Sequence, residues 1–387
     1  MSLLDGVRVV DVTNVLAGPF CTYQLALQGA DVLKVEVPGA GDLARQLGAD
    51  AELNERGSGS SFLAQNAGKR SMTIDLKDPE GKATFSALVN GADVIVENFR
   101  PGVLAGLGFG WDELRAANPR LVYCAISGFG ADGPMAARPA YDQIIQGLAG
   151  MMDVTGSPEG DPTRIGFPVC DTFGGMTACF AIAAALLRRE RTGRGAYLDV
   201  SMLDSALTAL GWAASNWLIA GQPPTRMGND NFTASPSGAF ATKDGLLNVA
   251  ANQQPQFEKL CVAVGRPDLA TDERFARRAD RLANRIALNA ELASAFAART
   301  AAEWEELLNP LGVPAARVLT VPEAFALDQV AHRRTVATLG RVAGTDRPLQ
   351  VVTAGFHVDG EPAVSSAMPP GLGEHTEEEL ARLRSQP

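Results

Sequence analysis

Apolar positions over the first two hundred residues switch between two spacings. Short β-rich runs at 7–12, 30–37, 71–76, 92–99 and 121–127 alternate with segments that are apolar at helical spacing, at 20–28, 79–89 and 111–117. Such alternation predicts a mostly parallel, doubly wound α/β sheet. Asp78 followed by Pro79 and Glu80 marks a helix start, because a cap acceptor precedes a residue of fixed φ that needs no N–H partner. Two further helices are predicted at 141–152 and 172–190; the second is nearly all small and apolar on its inner turns and should be buried. A turn at 192–195 leads to a strand at 197–200 and an apolar helix at 204–220.

The stretch 221–237, with Pro223, Pro224, Gly228 and several Asn and Asp, has the composition of a linker or functional loop, so a domain change is placed there. Residues 1–220 are read as a large α/β domain, and 238–321, a hairpin-like run followed by charged amphipathic helices, as a smaller α+β domain. The closing segment, 322–387, holds a strand near 350–354 and a terminal helix from Thr376, with Glu377 to Glu379 complementing its dipole.

Composition narrows the function. A chain of 387 residues, 46% apolar and 20% charged, is no peptide, disulfide miniprotein or disordered tail. The net charge of -10 argues against nucleic acid or anionic membrane as a partner, while leaving room for a local basic pocket. The amino terminus shows no signal pattern, and the longest apolar run, 178–187, is about half of a membrane span, so a cytoplasmic protein is expected. Five cysteines form no C-x-x-C pair and read as reduced thiols; the three histidines all fall in the last fifth of the chain, so no metal site is expected.

Four segments bear on chemistry. Gly128 to Gly133 has the spacing of a dinucleotide fingerprint, but Pro134 and Pro139 follow where a helix should begin, and a strand-to-loop turn is the better reading. Asn98, Phe99 and Arg100 close a strand and place a polar, aromatic and cationic trio at a sheet edge, either as a ligand contact or as an ordinary turn. Lys69, Arg70 and Lys77 surround one short strand in an acidic chain, which makes them a solvated face or a phosphate site. Asp171 stands at a helix start after Pro168. It is either a cap or a carboxylate beside which Gly174 and Gly175 clear space for a substrate; Cys170 has no neighbouring histidine to activate it.

Taken in order, several of these segments resemble the class III CoA-transferase family, the group of formyl-CoA transferase and α-methylacyl-CoA racemase. They are Leu4-Asp5-Gly6-Val7 with Ala17-Gly18-Pro19, the run from Gly29 to Glu36, 66–71, 92–102, 127–134, Thr192-Gly193-Arg194-Gly195 and Gly373-Glu374-His375-Thr376. The resemblance implies a Rossmann-like large domain, a small domain, a carboxyl segment returning to the large domain, and two chains interlocked as a homodimer. It also implies that a coenzyme A thioester is the substrate, with no cofactor permanently bound. It puts Asp171 at the catalytic aspartate, and Leu16, Ala17, Ile74, Asp75, Leu76, Lys77, Asn98, Phe99, Arg100, Pro139, Ala140, Tyr141 and Asp142 at CoA-contacting positions. Lys69 and Arg70 join them as cations for the CoA phosphates.

Departures from the family pattern shape the function expected. Leu16 stands where formyl-CoA transferase has glutamine and Val37 where it has arginine, which counts against a formyl or oxalyl substrate; Gly228 to Thr233 replaces its run of glycines. The racemase relative uses a His-Asp pair where this chain has Tyr141 and Asp142. A CoA-transferase therefore ranks above a racemase, and a dinucleotide-dependent oxidoreductase comes third. The expected substrates are succinyl-CoA or a similar donor and a small dicarboxylate, with Arg45, Arg56 or Arg164 meeting the distal carboxylate. Asp171 is expected to act as a covalent nucleophile, helped by backbone N–H groups of the helix that follows it.

Overall fold

The computed structural model describes residues 2–365 and 367–385. Six strands form one sheet: β1 (Arg8–Asp11), β2 (Asp31–Glu36), β3 (Arg70–Thr73), β4 (Val94–Glu97), β5 (Val122–Ser127) and β6 (Ala196–Ser201). Every pairing is parallel, in the order β3-β2-β1-β4-β5-β6. The inner strands are mostly apolar on both faces, as a sheet covered on both sides requires, with buried charges (Asp11, Lys34, Glu36 and Glu97) confined to their carboxyl-terminal halves. Val9, Val94, Val96 and Cys124 turn to one core and Val10, Ile95 and Tyr123 to the other, the period-two alternation of a strand.

Helix α1 (Ala17–Leu27) and the long helix Val169–Thr192 cover the first face, while Pro79–Asn90 and Trp111–Ala117 cover the second. Asp78 caps as the sequence suggests, its Oδ2 accepting from the Glu80 and Gly81 N–H groups at 3.0 and 3.1 Å. Helix Val169–Thr192 is long and apolar enough to cross a membrane by composition. Its inner residues, among them Gly174, Gly175, Ala178 and Ile182, are instead buried in the first core. The segment expected as one helix at 204–220 is two, Met202–Ala209 and Gly211–Ala220, divided next to Gly211, a poor helix former. The helix expected at 141–152 stops at Leu148.

The chain forms two compact units: residues 2–152, 164–223 and 328–385 in one, and 153–163 and 224–327 in the other. The second unit holds a three-stranded antiparallel sheet (Ser237–Ala241, Leu246–Ala250, Ala315–Arg317) and a helical core around Phe257, Phe275, Phe296 and Trp304. In the first unit the carboxyl segment docks on the outer edge of β3, where the His375 N–H donates to the Ser71 carbonyl at 2.8 Å. Glu379, expected only to complement a helix dipole, is fully buried and pairs with Arg70 and Arg382.

Candidate active site

In this sheet the strand order reverses between β1 and β4, and ligands of open α/β sheets bind outside the carboxyl ends of the strands at that point. A cavity of about 320 Å³ lies there. The loop after β1 supplies Asn14, Val15, Leu16 and Ala17, the loop after β4 supplies 98–101, and β5 ends in it at Ser127 and Gly128. Leu43, Ile126, Ala136, Arg138, Pro139, Ala140, Tyr141, Asp171 and Met202 complete the wall. No helix follows Gly128 until Asp142, so Gly128 to Gly133 is a strand-to-loop turn and cannot present a helix amino terminus to a dinucleotide.

Asp171 sits in the first turn of helix Val169–Thr192, half-buried. Burial, followed by the nearby negative charge of Asp142, pushes its carboxyl up to about 7. Asp142 itself is buried and engaged: its Oδ1 accepts from the Cys170 N–H at 2.8 Å, capping the Asp171 helix, and its Oδ2 accepts from Gln146 Nε2 at 2.7 Å. Arg164 reaches the same Oδ2 at 3.4 Å. The Cys170 thiol is buried and pushed up to about 12, first by desolvation and then by the Asp142 and Asp171 charges, so it stays a neutral thiol.

Two expectations about this helix start are corrected. Gly174 and Gly175 clear space for packing and not for a substrate. A Cβ at Gly175 would stand 2.5 Å from the Ala17 carbonyl oxygen, and one at Gly174 would stand 3.1 Å from Met202 Cγ. The backbone donors on either side of Asp171 are also committed: the Cys170 N–H goes to Asp142 and the Thr172 N–H to the Pro168 carbonyl, while the Asp171 N–H itself has no acceptor among the described residues. At the start of α1, by contrast, no side chain caps the helix, and the Ala17 and Gly18 N–H groups have no acceptor among the described residues. Ala17 lines the cavity with Asp171.

The loops that frame the cavity are tied to each other. The Asn14 N–H donates to Asn98 Oδ1 and Asn98 Nδ2 donates to the Asn14 carbonyl, both at 2.8 Å. Glu97 Oε2 accepts from the Phe99 N–H at 2.8 Å, and burial pushes its carboxyl up to about 7. Arg100 and Arg138 are exposed cations on the cavity wall with no carboxylate partner among the described residues.

A model described as CoA-transferase family III matches residues 4–376. The chain belongs to this family. Acetyl-CoA:oxalate CoA-transferase of Acetobacter aceti is 42% identical over 348 residues, 90% of this chain and 88% of that protein. Succinate–glutarate CoA-transferase of Agrobacterium fabrum is 37% identical over 385 residues, 99% of this chain and 96% of that protein. A crystal structure of a CAIB/BAIF family protein from Brucella suis superposes with a TM-score of 0.86 at 37% identity, covering 99% of each chain.

Within this class III CoA-transferase, the structure brings Leu16, Ala17, Asn98, Phe99, Arg100, Pro139, Ala140, Tyr141 and Asp171 to one cavity. It withdraws Lys69, which is fully buried and donates to Asp11 Oδ2 at 3.0 Å, to the Pro19 carbonyl at 3.0 Å and to Thr22 Oγ1 at 2.8 Å. Arg70 begins β3 at the opposite, amino-terminal edge of the sheet, paired with Asp31 and Glu379. Asp142 is a helix cap with no free carboxylate to offer CoA. Ile74, Asp75, Leu76 and Lys77 lie beyond the carboxyl end of β3, two strands from β1, outside the cavity wall. Ile74 is buried, Leu76 half-buried, and Asp75 and Lys77 exposed.

Of the arginines considered for a distal carboxylate, Arg45 is buried against Glu36 at 2.7 Å and Arg56 pairs with Glu52. Sequence reasoning passed over Asn14, Val15, Arg138 and Met202. Arg138, a cation beside Pro139 in a loop of an acidic chain, was the one with a visible signal.

Proposed function

We propose that this enzyme transfers CoA from a small acyl-CoA to a dicarboxylate through covalent adducts on Asp171. The observation that carries this reading is a half-buried carboxylate facing the switch-point cavity in a chain of this family. The Asp171 carboxylate attacks the donor thioester, giving an aspartyl mixed anhydride and CoA thiolate. The thiolate attacks the aspartyl carbonyl, releasing the donor acid and leaving an aspartyl-CoA thioester. An acceptor carboxylate attacks that thioester, freeing the thiolate and forming a second anhydride; the thiolate then attacks the acceptor's acyl carbon, which yields the new acyl-CoA and restores Asp171. Each step exchanges groups of similar reactivity. The free Ala17 and Gly18 N–H groups are the donors at hand for the oxyanions, each worth on the order of 3 kcal/mol when well placed.

The cavity admits the acyl group and the end of the pantetheine arm, and the rest of CoA extends along the carboxyl edge of the sheet toward Lys77. Arg100 and Arg138 are the cations available to its phosphates and to a distal carboxylate. Relatives named for oxalate and for succinate and glutarate support a dicarboxylate. The substrate test is a panel of acceptors offered with acetyl-, succinyl- and longer acyl-CoA donors, followed by mass spectrometry. Dicarboxylates are expected to give the highest kcat/KM; equal use of monocarboxylates removes that part of the reading. Oxalate belongs in the panel because of the relative named for it, although Leu16 and Val37 count against it.

A carboxylate is a nucleophile only when ionised, and Asp171 is pushed up to about 7. The kcat/KM for the donor is therefore expected to rise with pH, to half its plateau near 7, and to level off above. Asp142→Asn, which removes the neighbouring charge, is expected to move that limb to lower pH. A profile flat from pH 5 to 8 in the wild-type enzyme contradicts this.

We also infer a homodimer. Helix Gly211–Ala220 buries none of its residues in the single chain; Trp212, Leu218 and Ile219 are 75%, 75% and 86% exposed, and Phe180 on helix Val169–Thr192 is 75% exposed. A second copy is the partner these faces fit, given the interlocked pairs that family resemblance implies. Light scattering is expected to give twice the chain mass, and Ile219→Glu to weaken the pairing; a wild-type monomer at micromolar concentration overturns it.

A further inference from the structure

Val15 has φ +68°, a left-handed conformation that a β-branched residue adopts only when its surroundings force it. The Val15 N–H donates to Asp42 Oδ1 at 2.9 Å. Asp42 is buried, its Oδ1 also accepts from the Ala44 N–H at 2.8 Å, and its Oδ2 pairs with Lys34 Nζ at 2.8 Å. The Lys34 ammonium is fully buried as well and donates to the Thr13 carbonyl at 2.8 Å. One buried ion pair thus grips the β1–α1 loop on both sides of Asn14, at Thr13 and at Val15. Immediately after Val15 come Leu16 and Ala17 on the cavity wall and the two free N–H groups of α1.

We propose that Asp42, backed by Lys34, is a positioning residue for the transfer reaction: it holds Val15 left-handed so that the first turn of α1 faces the carboxylate of Asp171. This rests on the reading of Asp171 as the nucleophile. Asp42 does not itself line the cavity, although its neighbour Leu43 does; in this proposal its effect on the reaction passes through the conformation of Val15, which the glycine variant isolates. Glycine takes φ near +68° without strain, so in a Val15→Gly variant the loop keeps its shape with far less help from Asp42.

The test is a double-substitution cycle of Asp42→Asn and Val15→Gly. Asn keeps an acceptor for the Val15 N–H but loses the ion pair. Asp42→Asn alone is expected to lower kcat by about 10- to 100-fold, with little change in donor KM, because the donors are displaced and not removed. In the Val15→Gly background the same change is expected to cost less than about threefold, the rescue that distinguishes a held conformation from general loosening. Additive losses overturn the proposal, and so does Asp42→Asn with unchanged kcat. Should Asp42→Asn not fold, Lys34→Met/Asp42→Asn, which leaves no buried unpaired charge, replaces it in the cycle. Wild-type enzyme incubated with donor and hydroxylamine runs alongside. Labelled Asp171 with an additive cycle overturns only the role of Asp42, whereas an unlabelled Asp171 overturns the nucleophile and this proposal together.

Discussion

Replacement of Asp171 by alanine is expected to lower kcat by about a thousandfold or more, because no other group on the cavity wall can carry the acyl and thioester adducts. Cys170, its neighbour, is buried and held as a neutral thiol, and Tyr141, although exposed on the same wall, offers no carboxylate to form an anhydride. Loss of activity alone would not separate chemistry from folding. Asp171→Asn does, since the folded protein raises this carboxyl from its ordinary value to about 7. Below about pH 4 the group is protonated whether folded or not, and the cost of ionising it in the fold accumulates as pH rises toward 7. Asp171→Asn is therefore expected to be inactive yet to melt at a higher temperature than wild type at pH 8, with the difference vanishing near pH 4. Turnover within tenfold of wild type by either variant removes Asp171 from the reaction.

Lys69→Met is expected to destabilise the protein by about 3 kcal/mol or more while leaving CoA affinity intact in the folded fraction. The Lys69 ammonium is buried beside Asp11, whose carboxyl also accepts from Thr13 Oγ1 at 2.5 Å and Thr22 Oγ1 at 2.6 Å. Burial opposes ionisation of Asp11, but the Lys34 and Lys69 charges and these two hydroxyls hold it well below the usual carboxylate range. Removing one cation leaves a buried carboxylate that a methionine cannot satisfy. A lower urea midpoint with an unchanged calorimetric dissociation constant for CoA is the expected pair of results. Native stability combined with lost CoA affinity would return Lys69 to the binding site.

That reversal shows what the sequence can and cannot display. The strands were legible because each is a short apolar run bounded by turn residues, and Asp78 with Pro79 announced its helix from local chemistry alone. The cavity's place was legible too: Asn98 to Arg100 close a strand, and strand ends of such sheets face ligands. A lysine beside an arginine, however, looks the same in sequence whether it meets solvent, a phosphate or a buried aspartate 58 residues away. Pairing between distant segments decides, and the same holds for Arg45 with Glu36 and for Asp142 with the Cys170 N–H. Gly174 and Gly175 suggested open space, but open space and close helix contact call for the same residue. Val15 carried no signal, since nothing local marks a valine that distant groups hold left-handed.

The most direct measurement mixes enzyme with donor thioester in the absence of acceptor, adds hydroxylamine or borohydride, and maps the modified peptide by mass spectrometry. A donor-dependent modification confined to Asp171, with release of about one donor acid per active site before quenching, is the predicted result. Modification at any other residue, or acceptor-dependent transfer with Asp171 never modified, would contradict the account.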